Sequence, residues 1–174
     1  MSDARAGDDG APSFVAEDHD HESCVEAAVA AARAVCEQRG ERLTPLRRRV
    51  LELVWASHSP VGAYDLMERL GRERGRVAPP TIYRALDFLC QQRLVHRIDS
   101  LNAFIGCAHP GRAHAAYFMI CRRCRTAAEI VDPDLRTAVG RSADRAGFLV
   151  EGETVELHGV CPHCRADASG ILPT

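Results

Sequence analysis

The stretch with the strongest structural signal reads Cys107-Ala-His-Pro-Gly-Arg-Ala-His114, and it is followed by Cys121-Arg-Arg-Cys124 and then Glu129. It combines thiolate, imidazole and carboxylate side chains, which are the ligands that zinc and similar metals take in proteins. A second close pair, Cys161-Pro-His-Cys164, follows near the C-terminus. Two CxxC pairs fit one tetrahedral zinc site, because two intervening residues let both thiolates reach one ion across a tight turn. The sequence therefore predicts a structural Cys₄ site, and it leaves Cys107, His114 and Glu129 for a second, separate metal site.

Length and composition indicate a soluble globular protein. The chain of 174 residues is 46% hydrophobic and 26% charged, which allows one domain or two small ones. No apolar run approaches the roughly 20 residues that a membrane-spanning helix needs, and the acidic N-terminus lacks the apolar core of a secretion signal. We therefore expect a cytoplasmic protein with no membrane partner. In that reducing compartment, the CxxC spacing among the eight cysteines favours metal binding over disulfides.

The two ends of the chain differ from the rest in composition. Residues 1–22 carry seven acidic side chains and one arginine, a net charge of −6, so the remainder carries about +4 of the total of −2. The segment has few large apolar side chains, which predicts a disordered acidic tail. His19, His21 and Cys24 could bind a metal loosely, but a solvated tail is the favoured interpretation, because no rigid partner fixes their geometry. Residues 166–174 are predicted to form a second, flexible tail.

Residues 23–106 predict a winged-helix DNA-binding domain. Apolar residues recur at helical spacing in four segments, which predicts helices at 23–39, 45–57, 62–74 and 80–92. Ser23, and Thr44 followed by Pro45, are typical helix starts. Short strands at 94–98 and 102–105 follow the fourth helix. A β-hairpin after a helix-turn-helix is the wing of a winged helix, whereas an ordinary helical bundle with a polar face is the alternative.

Two groups of side chains in this domain are candidates for DNA contacts. Tyr83 and Arg84 point away from the apolar stripe of the fourth helix, Arg84 towards a guanine and Tyr83 towards a thymine methyl or a phosphate. Thr81, earlier on the same helix, is a third candidate. Arg47 and Arg48 crowd the first turns of the second helix, where cations oppose the helix dipole, so local stability does not explain them. Phosphate contacts would explain them, and a solvated basic face is an equal alternative.

Residues 107–165 predict a small α/β domain that completes an α+β fold. Strands are expected at 115–120 and 126–131, a helix at 133–146 capped by Asp132, and one long strand or a hairpin at 148–159. So small a unit usually needs a metal ion or a partner subunit for its stability. A Cys₄ zinc would supply the first, and pairing of an exposed strand edge with a second subunit would supply the other.

With these residues identified, the chain resembles the ferric-uptake-regulator family of bacterial metal-dependent repressors and is most similar to its zinc-sensing branch. The resemblance covers about residues 23–165. It rests on Arg42-Leu-Thr-Pro-Leu-Arg47, Pro79-Pro-Thr-Ile-Tyr-Arg-Ala-Leu-Asp-Phe-Leu89, Leu94-Val-His96 and the two CxxC pairs. It implies a homodimer, in which the winged helices bind a palindromic operator in double-stranded DNA and the C-terminal domains dimerise.

The resemblance also implies which residues regulate. By position, the regulatory zinc site of the family falls on His96, Cys107, His114 and Glu129, while Cys121, Cys124, Cys161 and Cys164 form the structural site. His109 competes with His114, and the spacing of seven residues before Cys121 matches the zinc branch and favours His114. One thiolate, one carboxylate and two neutral imidazoles balance the charge of Zn²⁺, and the soft thiolate disfavours Fe²⁺ and Mn²⁺. We therefore expect two zinc ions per subunit, one structural and one regulatory.

The expected function is that of a zinc-responsive transcriptional repressor that controls zinc-uptake genes. One ion bound by the wing and by the C-terminal domain would set the angle between the domains and thus the spacing of the two recognition helices. An iron- or peroxide-responsive regulator of the same family is the alternative. An enzyme with a small-molecule substrate is not expected, because four protein ligands leave the metal no open position for a reactive water.

Overall fold

The described part of the N-terminal domain consists of four α-helices and a three-stranded sheet. The computed structural model describes residue 14 and residues 21–57, 59–75, 77–111 and 114–169. The helices are α1 (His21–Gln38), α2 (Pro45–Trp55), α3 (Ala63–Arg74) and α4 (Pro79–Gln91), and the strands are β1 (Val61–Gly62), β2 (Val95–Ile98) and β3 (Ala103–Gly106). The sheet order is β1-β3-β2, and both pairings are antiparallel. Helices α3 and α4 followed by the β2–β3 wing confirm the predicted winged helix.

Capping groups and prolines explain where the helices begin. The Thr44 hydroxyl accepts a hydrogen bond from the Arg47 N–H at 3.4 Å, and Pro45 stands at the first helical position, where no N–H is needed. The Asp65 carboxylate accepts a hydrogen bond from the Gly62 N–H at 3.3 Å at the start of α3. The predicted start of α1 at Ser23 was wrong, because the helix begins at His21 and includes two residues of the predicted tail. His19 lies outside the described residues.

One apolar core fixes the face that α4 turns to solvent. Ala32 and Cys36 of α1 are buried, as the periodicity predicted. Leucines and isoleucines from α2, α3, α4 and the start of the wing make up most of the fully buried side chains of this domain: Leu51, Leu66, Leu70, Ile82, Leu86, Leu89 and Leu94. Burying one such side chain stabilises the fold by about 1.5–3 kcal/mol. The buried stripe of α4 therefore anchors the helix and leaves its polar face outside.

The wing differs from its prediction in two details. Strand β1 was not predicted, because two residues show no periodicity of their own; Val61 pairs with Phe104 and Gly62 pairs with Ala103. The connection between the two wing strands is a 3₁₀ turn at Asp99–Leu101. It ends at Asn102, whose φ of 46° is left-handed, a conformation that asparagine tolerates.

The described residues of the C-terminal domain form a second three-stranded sheet and two helices. The strands are β4 (Ala116–Cys121), β5 (Ala127–Ile130) and β6 (Thr154–Gly159), and the helices are α5 (Pro133–Arg145) and α6 (Pro162–Ser169). The sheet order is β5-β4-β6, with β5 antiparallel and β6 parallel to the central strand. This mixture of helices and a small sheet agrees with the predicted α+β fold. Among the described helices, none is long and apolar enough to cross a membrane.

Two predictions for the C-terminal domain were wrong. The strand or hairpin predicted at 148–159 is a strand only over Thr154–Gly159. The preceding residues follow a turn at Gly147, which has a φ of 64°, and they do not pair with the sheet. Residues 166–169, predicted as part of a flexible tail, belong to α6, which starts at Pro162 directly after Cys161. A proline at the first helical position is a common start signal.

Helix α5 packs only partly on its own chain. Its predicted cap is present, because the Asp132 carboxylate accepts hydrogen bonds from the N–H groups of Asp134 and Leu135 at 2.8 and 3.2 Å. No residue of the helix is fully buried, and its inward-facing Leu135 is only half-buried. Phe148 and Leu149, just after the helix, are 67% and 80% exposed. Exposed apolar side chains of this size are typical of a surface that a partner covers.

The wing packs against the C-terminal sheet. Ile98 of β2 and Ile105 of β3 are buried in one cluster with Phe118 and Ile120 of β4 and Ala127 of β5. These apolar contacts join the two domains and form the junction along which the first group of candidate metal ligands lies.

Candidate metal centres and DNA-facing helix

Four metal-binding side chains converge at the junction of the two domains. His96 is on β2, Cys107 directly follows β3, His114 precedes β4, and Glu129 is on β5. Their ligand atoms all lie within 4.8 Å of one another. The Nε2 atoms of the two histidines are 3.1 Å apart, and Cys107 Sγ is 3.5 Å from His114 Nε2. The structure thus brings together the four residues that the sequence pattern and the family resemblance assigned to regulation; we call them the junction cluster.

The strands of the wing aim two of these ligands. Side chains alternate along a strand, so the face of β2 that packs Ile98 against the C-terminal sheet also presents His96 to it. The ring of Phe118 lies edge-on to the His96 ring, with centroids 5.5 Å apart. The N–H of Cys107 donates to the Leu94 carbonyl at 3.1 Å, which fixes the start of the loop that leads to His114.

Arg39 supports the same loop, and sequence reasoning missed this contact. Its guanidinium donates to the Gly111 carbonyl at 3.1 Å and to the backbone and side-chain oxygens of Gln92 at 2.9 and 3.0 Å. These hydrogen bonds tie Gly111 to the end of α1 and to the end of α4. No local pattern in the sequence signals them, because Arg39 and Gly111 are far apart in the chain.

The donor set of the junction cluster fits a zinc ion. Glu129 Oε1 lies 2.6 Å from His114 Nε2 and 3.2 Å from His96 Nε2. This oxygen is buried, yet it forms no hydrogen bond of ordinary geometry. This oxygen, the two imidazole nitrogens and the Cys107 sulfur face one another, and a shared cation such as Zn²⁺ would coordinate all four once the thiol has lost its proton. The thiolate and the carboxylate would balance the charge of a divalent ion.

The protonation of the cluster is set by burial and by its own charges. Burial, and then the negative charge of Glu129, raise the pKa of the Cys107 thiol to about 12. Burial alone would raise the pKa of Glu129 as well, but His96, the Ala108 N–H and His114 together outweigh it and lower that pKa below its usual value. Cys107 therefore keeps its proton until a metal ion displaces it, since a coordinated thiol is deprotonated.

His109 does not contribute to the junction cluster. Its side chain is exposed, and its ring centroid lies 6.2 Å from that of His114. Among the described residues, the metal-competent group at the junction contains His114 and lacks His109. The geometry thus supports the preference for His114 that the spacing to Cys121 suggested.

The four remaining candidate ligands form a second cluster at the far end of the C-terminal sheet. The sulfur atoms of Cys121, Cys124, Cys161 and Cys164 also lie within 4.8 Å of one another, and Cys124 Sγ is 3.7 Å from Cys161 Sγ. A tight turn with Arg125 at a φ of 64° returns the chain between the first pair and β5. The second pair brackets the first turn of α6, so both pairs present their thiols to one point.

Backbone amides prepare this second cluster for a metal. Burial opposes ionisation of Cys121, but N–H groups of Cys161, Cys124 and Arg123 outweigh it and lower the pKa of this thiol to about 6. The N–H of Cys161 donates to Cys121 Sγ at 3.4 Å. Arg123 donates to the Cys164 carbonyl, and Arg122 and Arg125 are exposed beside it. Their positive charge offsets the net −2 that four thiolates and one Zn²⁺ would carry.

Helix α4 presents the predicted DNA-contacting residues to solvent. Thr81, Tyr83 and Arg84 are all exposed in its first turns, and Tyr83 is 40% exposed. The opposite side of the helix is held by Ile82, Ala85 and other buried residues. This is the placement that a recognition helix needs to reach base edges with its N-terminal residues.

The arginines of α2 have partners within the protein. The Arg47 guanidinium stacks on the Phe88 ring at 3.4 Å from its centroid, and it donates to the Arg42 carbonyl at 2.6 Å. Arg48 pairs with Glu52 at 2.7 Å and remains 47% exposed. Of these two predicted phosphate contacts, Arg48 is the more available, because Arg47 is held against α4 by a cation–π contact.

Comparison with known proteins agrees with this architecture. The chain matches the ferric uptake regulator family over residues 38–158. A zinc uptake regulation protein of Escherichia coli (strain K12) is 35% identical over 137 residues, which are 78% of this chain and 80% of that protein. One from Mycobacterium tuberculosis (strain ATCC 25618 / H37Rv) is 26% identical over 129 residues, 73% of this chain and 97% of that protein.

Two solved structures resemble the protein closely. A zinc uptake regulator complexed with zinc and DNA matches with a TM-score of 0.79 and 33% identity, over 83% of this chain and 97% of that one. The crystal structure of holo XcZur matches with a TM-score of 0.72 and 43% identity, over 83% of this chain and 98% of that one. On the family match and the 35% identical relative, the chain belongs to the ferric uptake regulator family.

Proposed function

We propose that the protein is a zinc-responsive transcriptional repressor that binds operator DNA as a homodimer. The junction cluster carries the proposal, because its four ligand atoms lie within 4.8 Å of one another and come from both domains. An ion held there restrains the wing, and with it α4, relative to the C-terminal sheet. The similarity to a zinc uptake regulation protein and to a regulator solved with zinc and DNA supports zinc and DNA as the ligands.

Each subunit would hold two zinc ions with different roles. Cys121, Cys124, Cys161 and Cys164 form a closed four-thiolate site, which is typical of structural zinc. His96, Cys107, His114 and Glu129 form the regulatory site, whose single thiolate makes it weaker and favours zinc over iron and manganese. Neither site leaves an open position for a reactive water, so no enzymatic reaction is part of this function.

The homodimer is supported by the C-terminal domain. Phe148 and Leu149 are largely exposed, and Leu157 on the edge strand β6 is 48% exposed. A second subunit covering this surface would place two α4 helices on two half-sites of a palindromic operator. Thr81, Tyr83 and Arg84 would contact the DNA from α4. Arg48 and Arg47 of α2 would contact the phosphates, with Arg48 the more exposed of the two. Repression of zinc-uptake genes by such a dimer would take place in the cytoplasm.

A selection followed by a metal titration tests the proposal. Wild-type protein in buffered Zn²⁺ first selects DNA duplexes from a random pool, and the selected duplexes serve as operator. Their affinity for the protein is then measured as a function of the free Zn²⁺ concentration. We expect zinc to tighten binding by about 5- to 150-fold, the usual range of allosteric coupling. Cys107→Ser should lose this dependence, whereas Cys24→Ser, which changes a cysteine outside both clusters, should retain it.

Other metals decide between zinc sensing and the alternatives. If buffered Fe²⁺ or Mn²⁺ activated DNA binding more strongly than Zn²⁺, or if peroxide abolished it, the chain would be an iron or peroxide sensor instead. Zinc-independent binding by the wild type would leave both clusters as structural sites only.

A further inference from the structure

Glu129 and Glu156 lie in one row across the C-terminal sheet. Phe118 of β4 is opposite Glu129 of β5 on one side and opposite Glu156 of β6 on the other. Residues opposite each other on neighbouring strands project from the same face of a sheet, and Phe118 faces the wing. Both carboxylates therefore face the wing, at positions two strand spacings, about 10 Å, apart.

The Glu156 carboxylate accepts hydrogen bonds from the backbone of the wing. The Asp99 N–H donates to Oε1 at 2.8 Å, and the Ser100 N–H donates to Oε2 at 3.3 Å. These two residues begin the 3₁₀ turn between β2 and β3, where amides have no partner within the turn. The Glu156 side chain is only 12% exposed, so water competes weakly for the contact. Hydrogen bonds to a charged acceptor are also stronger than neutral ones.

Glu129 attaches to the wing by different chemistry. Its Oε1 faces His96 of β2, and its Oε2 accepts a hydrogen bond from the Ala108 N–H at 3.1 Å. An ion would bind both Glu129 and His96 and so strengthen the 3.2 Å contact between them, whereas Glu156 holds the wing through backbone hydrogen bonds alone. The apolar contacts of Ile98 and Ile105 with Phe118 belong to the same junction.

We propose that Glu156 is a positioning residue and forms the metal-independent half of a two-point clamp on the wing. The zinc-binding Glu129 forms the other half, so this inference rests on the proposed function and adds how the ion is coupled to the wing. With one polar attachment the wing can rotate about that point, whereas two polar attachments on separate strands fix its orientation. Glu156 thereby preorganises the junction cluster, and zinc binding has less conformational change to drive.

Glu156→Ala tests the clamp, with Asp144→Ala as the matched control. Asp144 is an exposed acid of α5, so its loss changes the charge of the same domain by the same amount. Two readouts are measured on the full chain. One is the zinc affinity of the junction cluster, measured by competition with a chelating buffer. The other is the hydrogen exchange of the Asp99 and Ser100 amides in protein that holds only the first, structural ion.

We expect Glu156→Ala to lower the zinc affinity of the junction cluster by about 3- to 30-fold, the effect of losing one or two charge-assisted hydrogen bonds. The first ion should bind as in the wild type, and the two wing amides should exchange faster. Glu156→Gln, which keeps an acceptor oxygen and loses the charge, should fall between. A merely structural role would lower stability and leave the ratio of the two zinc affinities unchanged.

The outcomes separate this inference from the proposed function. If Glu156→Ala matched Asp144→Ala in both zinc affinity and amide exchange, the clamp would be refuted even with zinc-dependent DNA binding intact. If the affinity of the wild-type protein for the selected duplex did not depend on zinc, the proposed function would be refuted. The amide exchange would still decide whether Glu156 holds the wing.

Discussion

His114 and His109 provide the sharpest comparison at the level of single residues. His114 supplies a nitrogen to the junction cluster, while the exposed His109 lies beside it without joining it. His114→Ala should therefore lose the zinc ion of the junction cluster and keep that of the four cysteines. His109→Ala should bind both ions with wild-type affinity. Zinc stoichiometry measured by mass spectrometry under native conditions, together with competition titrations, checks both. Loss of the second ion in His109→Ala alone would reverse the assignment.

Gly106 allows the wing to approach α2. A Cβ at this position would overlap the indole of Trp55, so Gly106→Ala forces either the ring or strand β3 to move. We expect a loss of about 1–3 kcal/mol in the free energy of unfolding, the usual cost of overpacking a core. Trp55 is the only tryptophan of the chain, so its fluorescence during urea unfolding reports the effect directly.

Gly71→Ala is the matched control for this substitution. Gly71 lies within α3, and nothing lies within 4 Å of an added Cβ there. Because alanine favours helix over glycine, this variant should be more stable by up to about 1 kcal/mol. If both variants shifted stability in the same direction, the close approach of Gly106 and Trp55 would not be what limits the site.

Single residues also show what the sequence could and could not predict. CxxC spacing is a local signal, so the set of four cysteines could be proposed from the residues alone. Ligand types also pointed to Cys107, His114 and Glu129, but His96 was added to them only through the family resemblance. The contacts of Gly106 with Trp55, of Arg39 with Gly111 and of Glu156 with the Asp99 amide join distant parts of the chain. No periodicity or motif marks such pairs, because their partners are selected by the packing of whole elements.

At the level of elements, α2 and α3 are joined by charges whose effect depends on pH. Arg49 donates to Glu73 at 2.8 Å and to Glu52 at 2.9 Å. Burial alone would raise the pKa of Glu52, but hydrogen bonds from Arg49 and Arg48 outweigh it and lower that pKa. A carboxyl with a lowered folded pKa stabilises the fold above its unfolded pKa, about 4.3, and this stabilisation is lost as the pH falls through the folded value.

Arg49→Met should therefore lower stability at pH 7 and have a smaller effect near pH 3. The measurement is the midpoint of urea unfolding, followed by Trp55 fluorescence, across this range. Arg69→Met, which removes an exposed arginine of α3, should stay close to the wild type at every pH. A stability difference for Arg49→Met that did not narrow on acidification would show that Glu52 is not held by these hydrogen bonds.

Elements with strong local signals were predicted well, and those formed by distant pairing were not. Thr44-Pro45 and Asp132-Pro133 placed the starts of α2 and α5, because a cap followed by a proline acts within one turn. Strand β1 exists only through its pairing with β3. The start of α6 had a local signal in Pro162, but the Cys161–Cys164 pair was interpreted only as a metal motif.

At the level of the whole molecule, the two domains should differ in their dependence on metal. The N-terminal domain has its own apolar core, whereas α5 of the C-terminal domain has no fully buried residue. Removal of all zinc with a strong chelator should unfold the C-terminal domain and leave the winged helix folded, because structural zinc contributes directly to folding energy. Circular dichroism should lose part of its signal while Trp55 fluorescence stays native.

Cys107→Ser separates the two sites in this experiment. This variant should keep the structural ion and a folded C-terminal domain at zinc levels that fill only the Cys₄ cluster. Cys121→Ser should behave like the chelated protein. If Cys107→Ser unfolded the C-terminal domain and Cys121→Ser did not, the structural and regulatory roles would have to be exchanged.

Coupling between the metal and the DNA extends across the entire protein. If zinc at the junction cluster favours the domain arrangement that binds operator, operator must favour zinc by the same factor, because the two routes to the ternary complex have the same total free energy. The affinity of the second ion, measured with and without the selected duplex, should therefore rise by the factor by which zinc tightens DNA binding. A scrambled duplex should raise it much less, since contacts to phosphates alone do not require two correctly spaced recognition helices.

Glu156→Ala should change the starting affinities of both ligands and still obey the equality. Unequal factors in the wild type would mean that zinc acts on DNA binding by some other route, such as assembly of the dimer.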